Sequence, residues 1–137
     1  MEAFYGLWTV DLSKTSGVAE IGKLFGWTED KIQAFSTTGY TLLIEASGDG
    51  NRCLVDYGVV KMEFNFKLGE PFDYTGLDGV KAKCTVELSG SGLVENFSTA
   101  EGATWKTTRE VTGNNMKATT VFGGQESVKC VQEFKKN

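Results

Sequence analysis

The sequence predicts an all-β protein: an antiparallel meander of roughly ten short strands carrying one helical insertion. Three observations point there. Seventeen glycines against a single proline fall in turn clusters with Asn, Asp and Ser about every ten residues, where positive φ is tolerated. Between the clusters, apolar and polar side chains alternate, leaving one face dry and one wet. Only the stretch 16–36 departs from that period and takes helical spacing.

The first strand is expected at about Tyr5–Leu12 and the second at about Tyr40–Ala46. Between them Val18, Ile21, Leu24 and Phe25 share a helix face until Gly26 interrupts it. Thr28-Glu29-Asp30-Lys31 restarts the spacing, with Thr28 as N-cap and acids in the first turn; Ile32 and Phe35 continue it. Two short helices joined at Gly26-Trp27 are too short to stand alone, so they should rest on the sheet as a lid.

Later strands follow the same alternation. Cys53, Val55 and Tyr57 face inward against Arg52 and Asp56, with Leu54 out of pattern. Val60, Met62, Phe64 and Phe66 form the next inward face, then Ala82, Cys84, Val86 and Leu88. Turns are expected at 48–51, 68–70, Leu77-Asp78-Gly79, 89–92, 100–102, 113–115 and 123–125. A sheet of this many strands must curl into a barrel or fold into a sandwich, and the alternation admits both.

The whole is one domain: 137 residues suit a single core. A net charge of −4 without a basic patch gives nucleic acid no footprint. Cys53, Cys84 and Cys130 form no close pair, and there is no His. Together with a start, Met1-Glu2-Ala3-Phe4, that lacks the basic and apolar regions of a signal peptide, this predicts a soluble cytoplasmic protein with reduced thiols. No run reaches the ~18 apolar residues of a membrane span.

Three inward positions break the apolar pattern. In Trp105-Lys106-Thr107-Thr108-Arg109-Glu110-Val111, Arg109 shares the face of Trp105 and Val111. An inward guanidinium is costly unless a carboxylate, from protein or ligand, answers it; a bulge turning it outward is the alternative. Gln132 lies between Cys130 and Phe134 on the inward face of the last strand, and Glu95 between Leu93 and Phe97. A wide barrel would hold a cavity, and a few polar groups converging in an apolar cavity make a small-molecule site. Equally, Glu95 and Arg109 could pair as a purely structural network. Enzyme signals are missing: there is no nucleophile–base pair, no metal site, and no cofactor motif. The residues favour binding over catalysis.

The chain also resembles a known family, the cytosolic lipid-binding proteins, which comprise fatty-acid-binding and cellular retinoid-binding proteins. The matching stretches are Phe4-Tyr5-Gly6-Leu7-Trp8, Phe66-Lys67-Leu68-Gly69-Glu70-Pro71-Phe72-Asp73, Lys81-Ala82-Lys83-Cys84, Thr108-Arg109-Glu110 and Cys130-Val131-Gln132-Glu133-Phe134. The resemblance implies a ten-stranded up-and-down barrel with a two-helix lid, holding one hydrophobic ligand. Arg109 matches the first of two arginines that hold a carboxylate in many members; Gln132 and Phe134 replace the second arginine and the tyrosine. The Gln-x-Phe ending is similar to that of retinol-binding members.

The leading expectation is therefore a carrier for a long-chain fatty acid, with Arg109, Gln132, Phe134 and Glu95 around the head group. The tail would run along Met62, Phe64, Phe72, Cys84, Phe97 and Phe122, with Tyr57 and Cys53 also in the cavity wall. Ile32, Phe35 and Val59 would form the portal. The alternative is a retinoid or other isoprenoid or pigment carrier using Gln132. A monomer making transient membrane contact is expected, with no enzyme activity.

Overall fold

The computed structural model describes residues 1–76 and 79–137. A 3-10 turn, Glu2–Phe4, leads into β1 (Gly6–Ser16), then the helices α1 (Val18–Leu24) and α2 (Glu29–Thr37). β2 (Thr41–Ser47), β3 (Gly50–Asp56), β4 (Lys61–Phe66) and β5 (Phe72–Thr75) follow. The chain ends with β6 (Lys81–Ser89), β7 (Gly92–Ser98), β8 (Thr104–Thr112), β9 (Asn115–Phe122) and β10 (Gln125–Lys136). Of the turns expected from sequence, the one at Leu77-Asp78-Gly79 has Leu77 and Asp78 outside the described residues.

The strands form one sheet ordered β4-β3-β2-β1-β10-β9-β8-β7-β6-β5. Successive strands pair antiparallel, and β1 pairs with β10, so the sheet curls into a nearly closed barrel. β4 and β5 are the unpaired edges. Rings bridge that opening in place of a hydrogen-bond ladder: Phe64 stacks on Tyr74 at 5.0 Å and Phe66 on Phe72 at 6.0 Å. Covering an edge with side chains removes a template for intermolecular pairing.

β1 runs four residues past its expected end at Leu12. Asp11 pairs with Glu133, yet Ser16 pairs with Val131, so the intervening residues bulge and the strand bends toward the helices. At the bend's end Gly17 has φ +82°, and a Cβ there would lie 1.9 Å from the Lys129 carbonyl oxygen. Only glycine lets the lid's first helix approach β10 this closely. Thr28 caps α2, its hydroxyl accepting from Lys31 N at 3.2 Å.

Two strand faces end sooner than the alternation implies. Val60 precedes β4 and is 46 % exposed, and Leu88 near the end of β6 is 44 % exposed; both lie where a strand meets its turn. The buried core gathers Phe4, Trp8, Leu42, Met116 and Phe134, with Trp8 Nε1 donating to the Phe4 carbonyl at 2.9 Å. Among the described residues no helix is long and apolar enough to cross a membrane.

Candidate functional site

A cavity of about 270 Å³ occupies the barrel interior beneath the helices. Its walls come from the inward faces already described, because alternation puts every second side chain inside. Glu95 and Arg109 are the only charged groups among its described lining residues.

Strand register explains how the polar groups meet. Arg109 on β8 lies opposite Ala118 on β9, and Ala118 opposite Gln132 on β10. The small Ala118 between them leaves room for two long polar side chains on one inward row. One row over, Glu95, Thr107, Thr120 and Cys130 align across β7, β8, β9 and β10. Glu95 is thus diagonal to Arg109, within reach of long side chains. Arg109 Nε donates to Glu95 Oε2 at 2.6 Å, with the side chains only 15 % and 18 % exposed. Thr107 and Thr120 share a hydroxyl hydrogen bond of 2.8 Å.

Tyr40, immediately before β2, completes the cluster. Its hydroxyl donates to Gln132 Oε1 at 3.1 Å, and its ring meets Phe134 edge-on at 5.7 Å. The Arg109 guanidinium carbon lies 5.9 Å from the Phe134 ring centroid, a cation–π arrangement. Arg109 Nη1 is buried without a hydrogen-bond partner. A buried donor left unpaired is costly and marks a place where a ligand oxygen would be welcome.

Burial disfavours the Arg109 cation, but the charge of Glu95 and its hydrogen bond outweigh burial and hold the guanidinium above its usual range. Burial pushes the Cys53 thiol up to about 12, and raises Cys84 and the Tyr40 phenol as well. At neutral pH these groups are uncharged donors or weak acceptors, leaving one ion pair as the interior's charge.

The far side of the site is aromatic. Phe97, Trp105 and Phe122 stack in series at 5.1 Å and 6.3 Å, and Phe25 of the lid meets Trp105 edge-on at 4.9 Å. Trp105 and Arg109 are four residues apart on one face of β8, roughly 13 Å at strand rise. A polar pole and an aromatic, lidded pole thus face each other along one strand.

Of the residues expected from sequence, Arg109, Gln132, Glu95, Met62, Phe64 and Phe72 line the cavity. So do Cys84, Phe97, Tyr57, Cys53 and Phe35. Phe134 lies behind the polar cluster, buried between Tyr40 and Arg109. Phe122 turns its ring toward Phe25 and Trp105. Of the three expected portal residues, Phe35 stacks on Trp27 at 4.6 Å and meets Tyr57 at 6.2 Å. Ile32 of α2 packs under α1 against Gly22, and Val59 in the β3–β4 turn points to solvent, 96 % exposed. Tyr40, Thr107 and Thr120 are site residues that sequence reasoning passed over. Tyr40 is in phase with Leu42 and Ile44, which is the signal that could have found it.

The chain matches no family model. It is 38% identical over 91 residues to the liver fatty-acid-binding protein of Lethenteron camtschaticum, covering 66% of this chain and 79% of that one. Among solved structures, the Schistosoma mansoni fatty-acid-binding protein in complex with arachidonic acid superposes with a TM-score of 0.89 at 26% identity, covering 100% of this chain and 98% of that one. The wild-type fluorescent protein UnaG superposes with a TM-score of 0.87 at 26% identity, covering 99% and 98%.

Proposed function

The chain belongs to the fatty-acid-binding protein family, and from that premise we propose that it is a carrier, not an enzyme, for one long-chain fatty acid held inside the barrel. The observation that carries this reading is the unpartnered Nη1 of Arg109, the one cation among the described residues lining a mostly apolar, lidded cavity. A carboxyl oxygen there would take up the spare donor, with Gln132 and Tyr40 beside it. The alkyl tail would run toward Phe97 and Trp105. Burial of each CH₂ contributes about 0.8 kcal/mol, so the tail supplies most of the affinity and the polar pole supplies orientation. The arachidonic acid complex of the Schistosoma mansoni protein supports a fatty acid as ligand class. The portal would lie where α2 faces the β3–β4 turn, around Phe35 and Tyr57, opening transiently. The carrier would be a cytoplasmic monomer touching membranes only in passing, its three cysteines kept as free thiols.

A second reading, a retinol-like isoprenoid or pigment, is favoured by the Arg109–Glu95 pair, which already neutralises the guanidinium. The likeness to a fluorescent protein adds a reason to test a coloured ligand. Competition between oleate and retinol for the purified protein separates the two. Tighter oleate, at one ligand per chain, is the expected result; tighter retinol overturns it.

A further inference from the structure

We infer that Glu95 couples fatty-acid binding to proton uptake: an acid enters this barrel together with one proton from solvent, whereas a lipid with an uncharged head needs none. The inference rests on the fatty-acid reading above and makes Glu95 the residue that sets the site's preference between acid and neutral heads.

The charge count leads to it. Among the described lining residues Arg109 is the cation and Glu95 the anion, joined at 2.6 Å and both largely buried. Among the described residues the remaining titratable groups around the pair are Cys84 on β6, Cys53 on β3, Cys130 on β10 in the row of Glu95, and Tyr40 ahead of β2, with Tyr57 stacked on Tyr40 at 4.7 Å. Burial raises all five away from ionisation. Thr107 on β8 and Gln132 on β10, which also neighbour the pair, do not titrate. Among the described lining residues the resting interior is therefore neutral, with no second cation to meet a carboxylate.

Geometry says where the ligand's oxygen goes. Glu95 occupies Nε of Arg109 while Nη1 stays buried and unpartnered. A ligand carboxyl at Nη1 would share one guanidinium with Glu95. Two carboxylates in one apolar site cannot both remain ionised, so one of them holds a proton. Which of the two carries it is immaterial to the count, because the pair titrates as a unit. An alcohol, aldehyde or ketone accepts from Nη1 with the ion pair intact.

Oleate and oleyl alcohol are titrated into wild type across about pH 7 to 9, and proton exchange is measured by calorimetry in two buffers of different ionisation enthalpy. Uptake of about one proton per oleate, with the association constant falling about tenfold per pH unit, is expected. Oleyl alcohol should bind with no uptake and no slope. In Glu95→Gln, oleate should bind without proton uptake and more tightly than in wild type at the alkaline end. Oleate binding to wild type with no proton exchange overturns the inference and leaves the fatty-acid reading standing. Full proton uptake retained in Glu95→Gln removes Glu95 from the coupling. Absence of oleate binding at every pH overturns the fatty-acid reading and the inference together. The wild-type measurement decides the matter even where the variant folds poorly.

Discussion

Arg109 Nε and Glu95 Oε2 meet at 2.6 Å inside the barrel, diagonal to one another across the β7–β8 ladder. Both charges have left water, so each is tolerable only because of the other. Removing one partner of a buried pair typically costs about 3–5 kcal/mol, whereas replacing both by apolar residues of similar volume is often neutral. Arg109→Met should therefore destabilise by about that amount in urea, and Glu95→Leu/Arg109→Met should return to within about 1 kcal/mol of wild type. Additive losses in the double variant would show that the two side chains are not energetically coupled.

Gly17 should be irreplaceable. At φ +82°, with the Lys129 carbonyl 1.9 Å from a would-be Cβ, Gly17→Ala must push α1 off β10. Gly26 also has positive φ, +79°, but open space around it, so Gly26→Ala should cost only about 1–2 kcal/mol of conformational strain. Hydrogen exchange of α1 amides distinguishes them: fast exchange in Gly17→Ala, near-native exchange in Gly26→Ala. Equal behaviour would mean the lid is not anchored at that contact.

Tyr40→Phe removes the donor to Gln132 Oε1. An acceptor left unpaired in the interior costs about 1–3 kcal/mol, and a lower urea midpoint with an unchanged slope is the expected signature. No change in midpoint would place the Tyr40 hydroxyl outside the polar cluster's energetics.

The interior thiols and phenols make the fold sensitive to alkali. Burial raises Cys53 from 9.0 and Tyr57 from 10.0, each to about 12. Above about pH 9 the unfolded chain releases these protons while the folded chain keeps them, so folding stability falls as pH rises toward about 12. Below about pH 9 the contribution is fully present. Urea midpoints measured on the alkaline side should decline, and Cys53→Val should make the decline shallower. An identical slope in the variant would remove Cys53 as a contributor.

Much of this was legible in the sequence because strand alternation is a strict geometric rule. Arg109, Glu95 and Gln132 each stood on an apolar phase, and each reaches the cavity. The sequence could not say which polar groups would touch. Pairing depends on register, and that depends on how ten strands stagger around the barrel, as Ala118 between Arg109 and Gln132 illustrates. Thr107 was readable on the inward face beside Arg109, but neither it nor Thr120 stood out as a site residue, because threonine is at home on either face of a strand. Phe25 and Trp27 were readable as apolar, but their contacts with Trp105 and Phe35 exist only once the lid closes.

The most direct test is a crystal structure of the protein with oleate. The account requires one alkyl chain inside the barrel, its tail against Phe97 and Trp105, and a head oxygen within hydrogen-bond distance of Arg109 Nη1. An empty interior with lipid on the outer surface, or a chain reversed so that its head lies under the lid, would contradict it.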